Sequence, residues 1–163
     1  MNKIIVIFAT LLFASGAFAA GECNVGSLKG DVYSYVVNGV NGLIVEGQGT
    51  EPQGTSVIGL VVFDGKGFVN FSGTGSAMGQ QRAKTGTGRY IVSAQCIVTG
   101  FLNFVPADDP SNHTDFTIVL DQLDTSSGKK PFEAVHGVVL ATAPATQSSG
   151  SGFIARRVFG QFQ

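Results

Sequence analysis

Short runs of apolar and β-branched residues, separated by glycine-rich and polar turns, recur along the chain after its first nineteen residues. Residues 115–123 (DFTIVLDQL) alternate between apolar and polar positions, and residues 31–38 (DVYSYVVN) show the same period of two. Such alternation is typical of a half-buried strand. Residues 55–63 (TSVIGLVVF) are also strongly β-prone. The pattern predicts an all-β fold of about eight or nine strands.

Turn residues predict where these strands are connected. Asp64-Gly65 stands between two runs of apolar β-formers, which is a strong hairpin signal. Short or final strands are expected at residues 43–46 and 153–162, and Ala94-Gln95-Cys96 is expected to join two strands. Glycine-rich or polar loops are predicted at residues 73–88, 106–114, 124–130 and 143–152.

Glycines inside the predicted strands favour one all-β architecture over another. Gly59, Gly100 and Gly137 would weaken a flat strand, but they suit positions where a sheet bends sharply. A small antiparallel β-barrel uses such bends and removes exposed strand edges. We therefore expect a barrel of about eight strands, with a β-sandwich as the alternative.

The first nineteen residues have the features of a secretory signal peptide. Lys3 supplies a positive charge, residues 4–12 are almost wholly apolar, and Ala17-Phe18-Ala19 offers small residues for cleavage before Ala20. The sequence thus predicts a signal peptide over residues 1–19 and a single domain over residues 20–163. It also predicts a secreted or periplasmic protein, most naturally of a Gram-negative bacterium.

Cys23 and Cys96 are the only two cysteines of the chain. In an oxidising compartment two cysteines without a third predict one disulfide. The bond would tie the start of the exported chain to the middle of the domain. Because the closed loop is long, chain-entropy arguments put its stabilisation at roughly 4 kcal/mol.

Charge and hydropathy argue against nucleic acid as a partner and against a membrane-spanning helix. Removing Lys3 with the signal leaves nine basic against 11 acidic residues, a net charge of −2. Such a domain has no electrostatic footprint for nucleic acid. No stretch after the signal is apolar over the length of a membrane-spanning helix.

A scattered set of residues resembles a pattern found in uncharacterised secreted bacterial proteins. These residues are Phe63-Asp64-Gly65-Lys66-Gly67-Phe68-Val69, Gly73-Thr74-Gly75, Gly88-Arg89-Tyr90-Ile91-Val92 and Cys96. Domains of that kind are similar to small calycin-like or allene-oxide-cyclase-like β-barrels. The resemblance implies a fold and carries no established activity, so it assigns no catalytic residue. Calycin-like barrels often hold an apolar ligand, which is an analogy at the level of the fold.

Few residues suggest catalytic or metal chemistry. His113 and His136 lack the spacing of a metal site or a triad, and we interpret them as a solvated and a hydrogen-bonded histidine. Asp108-Asp109 with Asn112 and Asp115 lacks the spacing of a calcium loop, so we interpret it as a solvated turn. The sequence therefore predicts no catalytic residue, no metal and no cofactor.

The remaining candidate chemistry is binding. Arg82, Lys84 and Arg89 form a small basic group that could attract an anionic ligand. Ten phenylalanines remain after the signal, enough to line or to fill a barrel.

We expect a non-catalytic binding protein for a small apolar ligand or another protein, with Tyr hydroxyls orienting the ligand. The alternatives are a cyclase- or isomerase-type enzyme with an apolar pocket, and an eight-stranded outer-membrane barrel.

Overall fold

The computed structural model of the chain describes residues 23–41, 53–77, 80–105, 112–143 and 148–156. They form a closed antiparallel barrel of eight strands, in which each strand pairs with the next and the last pairs with the first. The strands are Lys29–Asn41 (β1), Gln53–Asp64 (β2), Phe68–Ala77 (β3), Gln80–Val92 (β4), Ile97–Phe104 (β5), His113–Asp124 (β6), Glu133–Ala143 (β7) and Ser148–Arg156 (β8). A 3₁₀ turn, Val25–Leu28, precedes them. The predicted small β-barrel is confirmed.

Two predicted loops are wrong because they lie largely in strands. Most of residues 73–88 belongs to β3 and β4, and residues 148–152 begin β8. These segments are rich in Gly, Ser and Thr, so they lack the apolar alternation that marks the other strands. Their glycines are nevertheless needed inside: the tip of the Phe71 ring lies 2.8 Å from where a Cβ at Gly73 would be. The predicted strand at residues 43–46 and the stretch 157–162 fall outside the described residues.

The predicted hairpin at Asp64-Gly65 is confirmed, with a longer connection than a two-residue turn. β2 ends at Asp64 and β3 begins at Phe68, so three residues connect them. Gly65 and Gly67 both have positive φ, +72° and +104°. The Asp64 carboxylate accepts hydrogen bonds from the backbone N–H groups of Lys66 (2.7 Å) and Phe68 (2.9 Å).

Two rows of aromatic rings cross the interior of the barrel. The lower row lies nearer the end of the barrel at which β2 connects to β3. It runs from Tyr33 through Phe63 to Tyr90, with ring centroids 5.8 and 4.9 Å apart. The upper row runs from Tyr35 through Phe71 to Phe104, with both spacings 5.5 Å. All four contacts are edge-to-face, the geometry that aromatic quadrupoles favour. Side chains therefore pack across the barrel at these two levels.

Inward-facing glycines make room for these rings. The tip of the Phe71 ring lies 2.8 Å from the position a Cβ would take at Gly59, and the tip of the Phe116 ring lies 2.7 Å from that position at Gly100. Real Cβ atoms do not approach other atoms so closely, so each ring requires a glycine opposite it. Large residues facing small ones are how an eight-stranded barrel fills its interior.

One end of the barrel is sealed, and we call it the closed end. The Cys23–Cys96 disulfide joins the N-terminal segment to the bend between β4 and β5, with 5.1 Å between the Cα atoms, which confirms the predicted bond. Leu28 at the end of the 3₁₀ turn is fully buried. Over the described residues the structure contains no helix with the length and hydropathy of a membrane span.

Candidate functional site

We call the opposite end of the barrel, where β1, β3, β5 and β7 terminate, the mouth. Its floor is buried: Phe71, Phe104 and Phe116 are 3–6% exposed. Further out, on the inward faces of their strands, the side chains are half-buried. These mouth residues are Val57, Lys84 and Thr114. Among the described residues, exposure thus rises from a buried aromatic floor toward the mouth.

Lys84 is the charged side chain set into this mouth. Successive side chains of a strand point to opposite faces. Lys84 is an even number of residues from Gly86, Gly88 and Tyr90 and so shares their parity, which places it on the inward face of β4. Its Nζ lies 5.0 Å from the centroid of the Phe104 ring. Its stem passes over Gly75, where an added Cβ would lie only 3.0 Å from the Lys84 Cε. Burial desolvates the ammonium group and lowers the pKa of Lys84 below its ordinary value.

Among the described residues, Lys84 has no carboxylate within ion-pair distance; the ion pairs found there involve His113, His136 and Arg156. Its one close electrostatic contact is the face of the Phe104 ring, a cation–π interaction. Partial burial removes some of the water that hydrates this ammonium group.

The structure separates the three basic residues that the sequence grouped together. Arg82 shares the inward parity of Lys84 one step further out, and its guanidinium donates a hydrogen bond to the Gln80 side chain at 3.2 Å. Arg89 has the opposite parity, and its guanidinium lies on the outer wall, 4.3 Å from the centroid of the Phe68 ring. Two of the three residues therefore share the inward face near the mouth, and the third does not.

A tyrosine below the mouth has an unpaired hydroxyl. Tyr35 is only 6% exposed, and its hydroxyl has no hydrogen-bond partner among the residues that the structure describes. By contrast, the Tyr33 hydroxyl donates to the carbonyl oxygen of Ala134 at 2.9 Å, and the Tyr90 hydroxyl accepts from the N–H of Gly65 at 3.0 Å. Burial raises the pKa of Tyr35, which keeps its hydroxyl protonated and able to donate.

Both histidines lie on the outer wall of the barrel and have hydrogen-bond partners. His136 Nδ1 is 2.7 Å from an Asp121 carboxylate oxygen, and its ring stacks on Phe153. His113, which was predicted in a loop, is the first residue of β6 and contacts Asn103 and Asp115.

No group of three His, Cys, Asp or Glu side chains suited to a metal ion occurs within residues 23–41, 53–77, 80–105, 112–143 and 148–156. Asp108 and Asp109, from the acidic segment considered in the sequence, fall outside these ranges.

The inward direction of Lys84 was missed by sequence reasoning. Its signal is the parity of β4, in which Lys84, Gly86 and Gly88 alternate with Thr85 and Thr87. That signal becomes usable only once residues 80–92 are recognised as a strand, and their polar composition hides it.

Comparisons with known proteins found no match: no family model, no curated protein and no solved structure is similar to this chain. The resemblance to calycin-like and allene-oxide-cyclase-like proteins therefore stays a prediction. Any functional conclusion has to come from the geometry of the barrel itself.

Proposed function

We propose that this chain is an exported, non-catalytic binding protein that takes a small amphiphilic anion at the mouth of its barrel. The observation that carries the proposal is Lys84, a half-buried inward-facing ammonium group over an aromatic floor, without a carboxylate partner among the described residues. A carboxylate or similar headgroup on the ligand would supply that partner.

The floor of the mouth accounts for the apolar part of the ligand. Phe71, Phe104 and Phe116 form the buried aromatic floor, against which the apolar part of the ligand would pack. Burying about 200 Å² of acyl chain would contribute about 5 kcal/mol before the cost of association. Because the two ring rows fill the barrel below, the ligand lies at the mouth and not deep inside.

Two further polar groups fit this ligand class. Arg82 adds a second positive charge on the inward face near the mouth, and the protonated Tyr35 hydroxyl is a buried donor that has no acceptor within the described part of the chain. A buried donor without a partner costs roughly 1–3 kcal/mol, so an oxygen atom that reaches Tyr35 gains that amount.

The disulfide supports the exported location. A bond between Cys23 and Cys96 persists in oxidising compartments and is rare where thiols are kept reduced. The secreted or periplasmic location predicted from residues 1–19 agrees with it.

The enzyme alternative has less to support it. A cyclase or isomerase would be favoured by a carboxylate or imidazole inside the barrel, with a perturbed pKa. Around the mouth, the described inward-facing titratable residues are Arg82, Lys84 and Tyr35, while His113 and His136 are on the outer wall.

The outer-membrane alternative also fits poorly. Such a barrel needs an apolar band around its circumference and a polar lumen. Here the interior is apolar and aromatic, and the outward residues of two adjacent strands are mostly polar. On β3 and β4 the polar outward residues are Asn70, Ser72, Thr74, Ser76, Gln81, Thr85, Thr87 and Arg89, and the apolar ones are Phe68, Ala83 and Ile91.

The proposal is tested by titrating the disulfide-bonded protein with a fluorescent long-chain fatty acid. We expect saturable binding in the micromolar range, and Lys84→Met should weaken it roughly tenfold or more because the ligand carboxylate loses its counter-ion. Arg89→Met is the matched control, since it removes the same charge from the outer wall of the same strand.

Changing the ligand headgroup provides a second control. An alcohol of the same chain length should bind the wild type more weakly than the acid, and Lys84→Met should remove most of that difference. Equal binding of acid and alcohol to the wild type, or equal loss in the Lys84 and Arg89 variants, would refute the mouth as an anion site.

A further inference from the structure

A continuous row of apolar side chains runs around the outside of the barrel, across six neighbouring strands. Each member is paired in register with the next, from Ile97 on β5 through β6, β7, β8 and β1 to Ile58 on β2. We call this row the outer belt, and its members are Ile97, Val119, Val138, Phe153, Val36 and Ile58.

The belt is substantially exposed to solvent. Val138 is 50% exposed, Phe153 41% and Ile58 54%, and Leu140 and Leu60 extend the apolar surface on either side. Together these residues present on the order of 500 Å² of apolar area, which is at the upper end of what monomeric proteins expose in one patch. With the Ser and Thr residues between them, the face approaches the ~800 Å² per partner of a stable interface.

The centre of this face carries no charge. Residues 32–40 of β1, 54–62 of β2, 137–143 of β7 and 148–155 of β8 contain no Asp, Glu, Lys or Arg. The other side of the barrel differs, because β4 carries Arg89 on its outer wall and β3 and β4 are otherwise mostly polar there. Phe68 on β3 and Ile91 on β4 are 48% and 68% exposed, so the uncharged apolar surface is centred on β7, β8, β1 and β2 without being confined to them.

From this face we infer that a second copy of the chain docks on the outer belt, through β7, β8, β1 and β2. A neutral apolar face meets its own copy without like-charge repulsion, and its area is close to what a stable dimer buries. A lipid bilayer is a poorer occupant, because polar outward residues of β3 and β4 interrupt the apolar band and the interior of the barrel is apolar. This inference uses the outer wall and does not depend on the mouth.

The inference is tested by the oligomeric state of the disulfide-bonded protein, measured by sedimentation velocity from about 1 to about 100 µM. We expect a reversible dimer. Ile58→Glu should raise its dissociation constant roughly tenfold or more, because the interface would then bury an unpaired carboxylate. Thr87→Glu adds the same charge to an exposed position on β4, away from the belt, and should leave the dimer unchanged.

Folding of the variants is followed separately by circular dichroism. Ile58 is more than half exposed, so glutamate at this position reaches solvent in the monomer and the barrel should form normally. A wild type that stays monomeric over the whole range would overturn the inference, even if it binds vesicles or another protein. So would equal dissociation constants for the Ile58→Glu and Thr87→Glu variants.

Discussion

Gly65 shows how a single backbone conformation fixes the connection between two strands. Its φ of +72° lies in the left-handed region, and a Cβ added there would lie 2.9 Å from the Cα, Cβ and Cγ atoms of Lys29. Its N–H also donates to the Tyr90 hydroxyl, which satisfies a buried side chain of the lower ring row. The residue therefore couples a surface turn to the closed end of the core.

Gly65→Val is expected to destabilise the fold by roughly 1–3 kcal/mol, because a β-branched residue resists positive φ and would collide with Lys29. Urea unfolding measures the change. Gly54→Val is the control, since Gly54 has no positive φ and no atom within 4 Å of its Cβ position, and it lies in a strand where valine is favoured. Equal unfolding midpoints for wild type and Gly65→Val would contradict this account of the turn.

Residue identity alone did not decide which basic side chains share a surface. Arg82, Lys84 and Arg89 stand close together in the sequence, yet Arg89 points outward and the other two share the inward parity of β4. A shift of one residue in the pairing register would exchange those directions for the whole strand. The composition was thus enough to propose a basic group. Only the pairing of β4 with β3 and β5 shows which of its members face inward and which face outward.

At the scale of strands, Arg156 joins the seam at which the barrel closes. From the end of β8 its guanidinium reaches Asp124 on β6 (3.1 Å), Glu133 on β7 (2.8 Å) and Asp31 on β1 (3.6 Å). Burial opposes its charge, but the three carboxylates outweigh that effect and raise the pKa of Arg156. The last strand is therefore held to the neighbour on each side by charge as well as by backbone hydrogen bonds.

Asp124 makes this seam sensitive to acid. Hydrogen bonds from the Ser126 hydroxyl and N–H, followed by the Arg156 guanidinium, lower the pKa of Asp124 to about 2 from an ordinary value of 3.8. A carboxyl group with a depressed folded pKa stabilises the protein above about pH 4, and this contribution is lost as the pH falls toward 2.

Asp124→Asn should therefore be less stable than the wild type at neutral pH, and the difference should shrink between about pH 4 and pH 2. Urea unfolding across that range measures it. A difference that stays constant down to pH 2 would show that the ionised carboxylate does not hold the seam.

Most strands were predictable from their runs of apolar and β-branched residues, but the second half of β3, most of β4 and the start of β8 were not. Gly73 and Gly75 face inward in β3, with Ser72 and Thr74 outward, so neither face carries the apolar residues that mark a strand in a sequence. These segments are strands because their neighbours place large side chains against their glycines. Lys84 on β4 lies over Gly75 of β3, and Val37 on β1 lies over Gly150 of β8; such contacts between strands leave no local pattern in the sequence.

At the scale of the whole molecule, the closed end, the interior, the mouth and the outer belt of the barrel differ in structure. The closed end is sealed by the disulfide and the Arg156 seam, and two rows of rings fill the interior above it. The mouth and the outer belt are the two described surfaces to which we assign binding roles. The sequence predicted a barrel, a disulfide and a binding role, but it could not locate either surface, because both depend on which side of each strand faces inward.

Chemical-shift mapping by ¹H–¹⁵N NMR during a titration with decanoate tests the mouth as the binding site most directly. We expect the largest saturable shifts at Val57, Lys84 and Thr114, which surround the aromatic floor, and small shifts at Arg89 and Ile58 on the outer wall. Shifts that are concentrated on the outer wall, or that grow without saturating and without a preferred region, would contradict the proposal that the barrel binds an amphiphilic anion at its mouth.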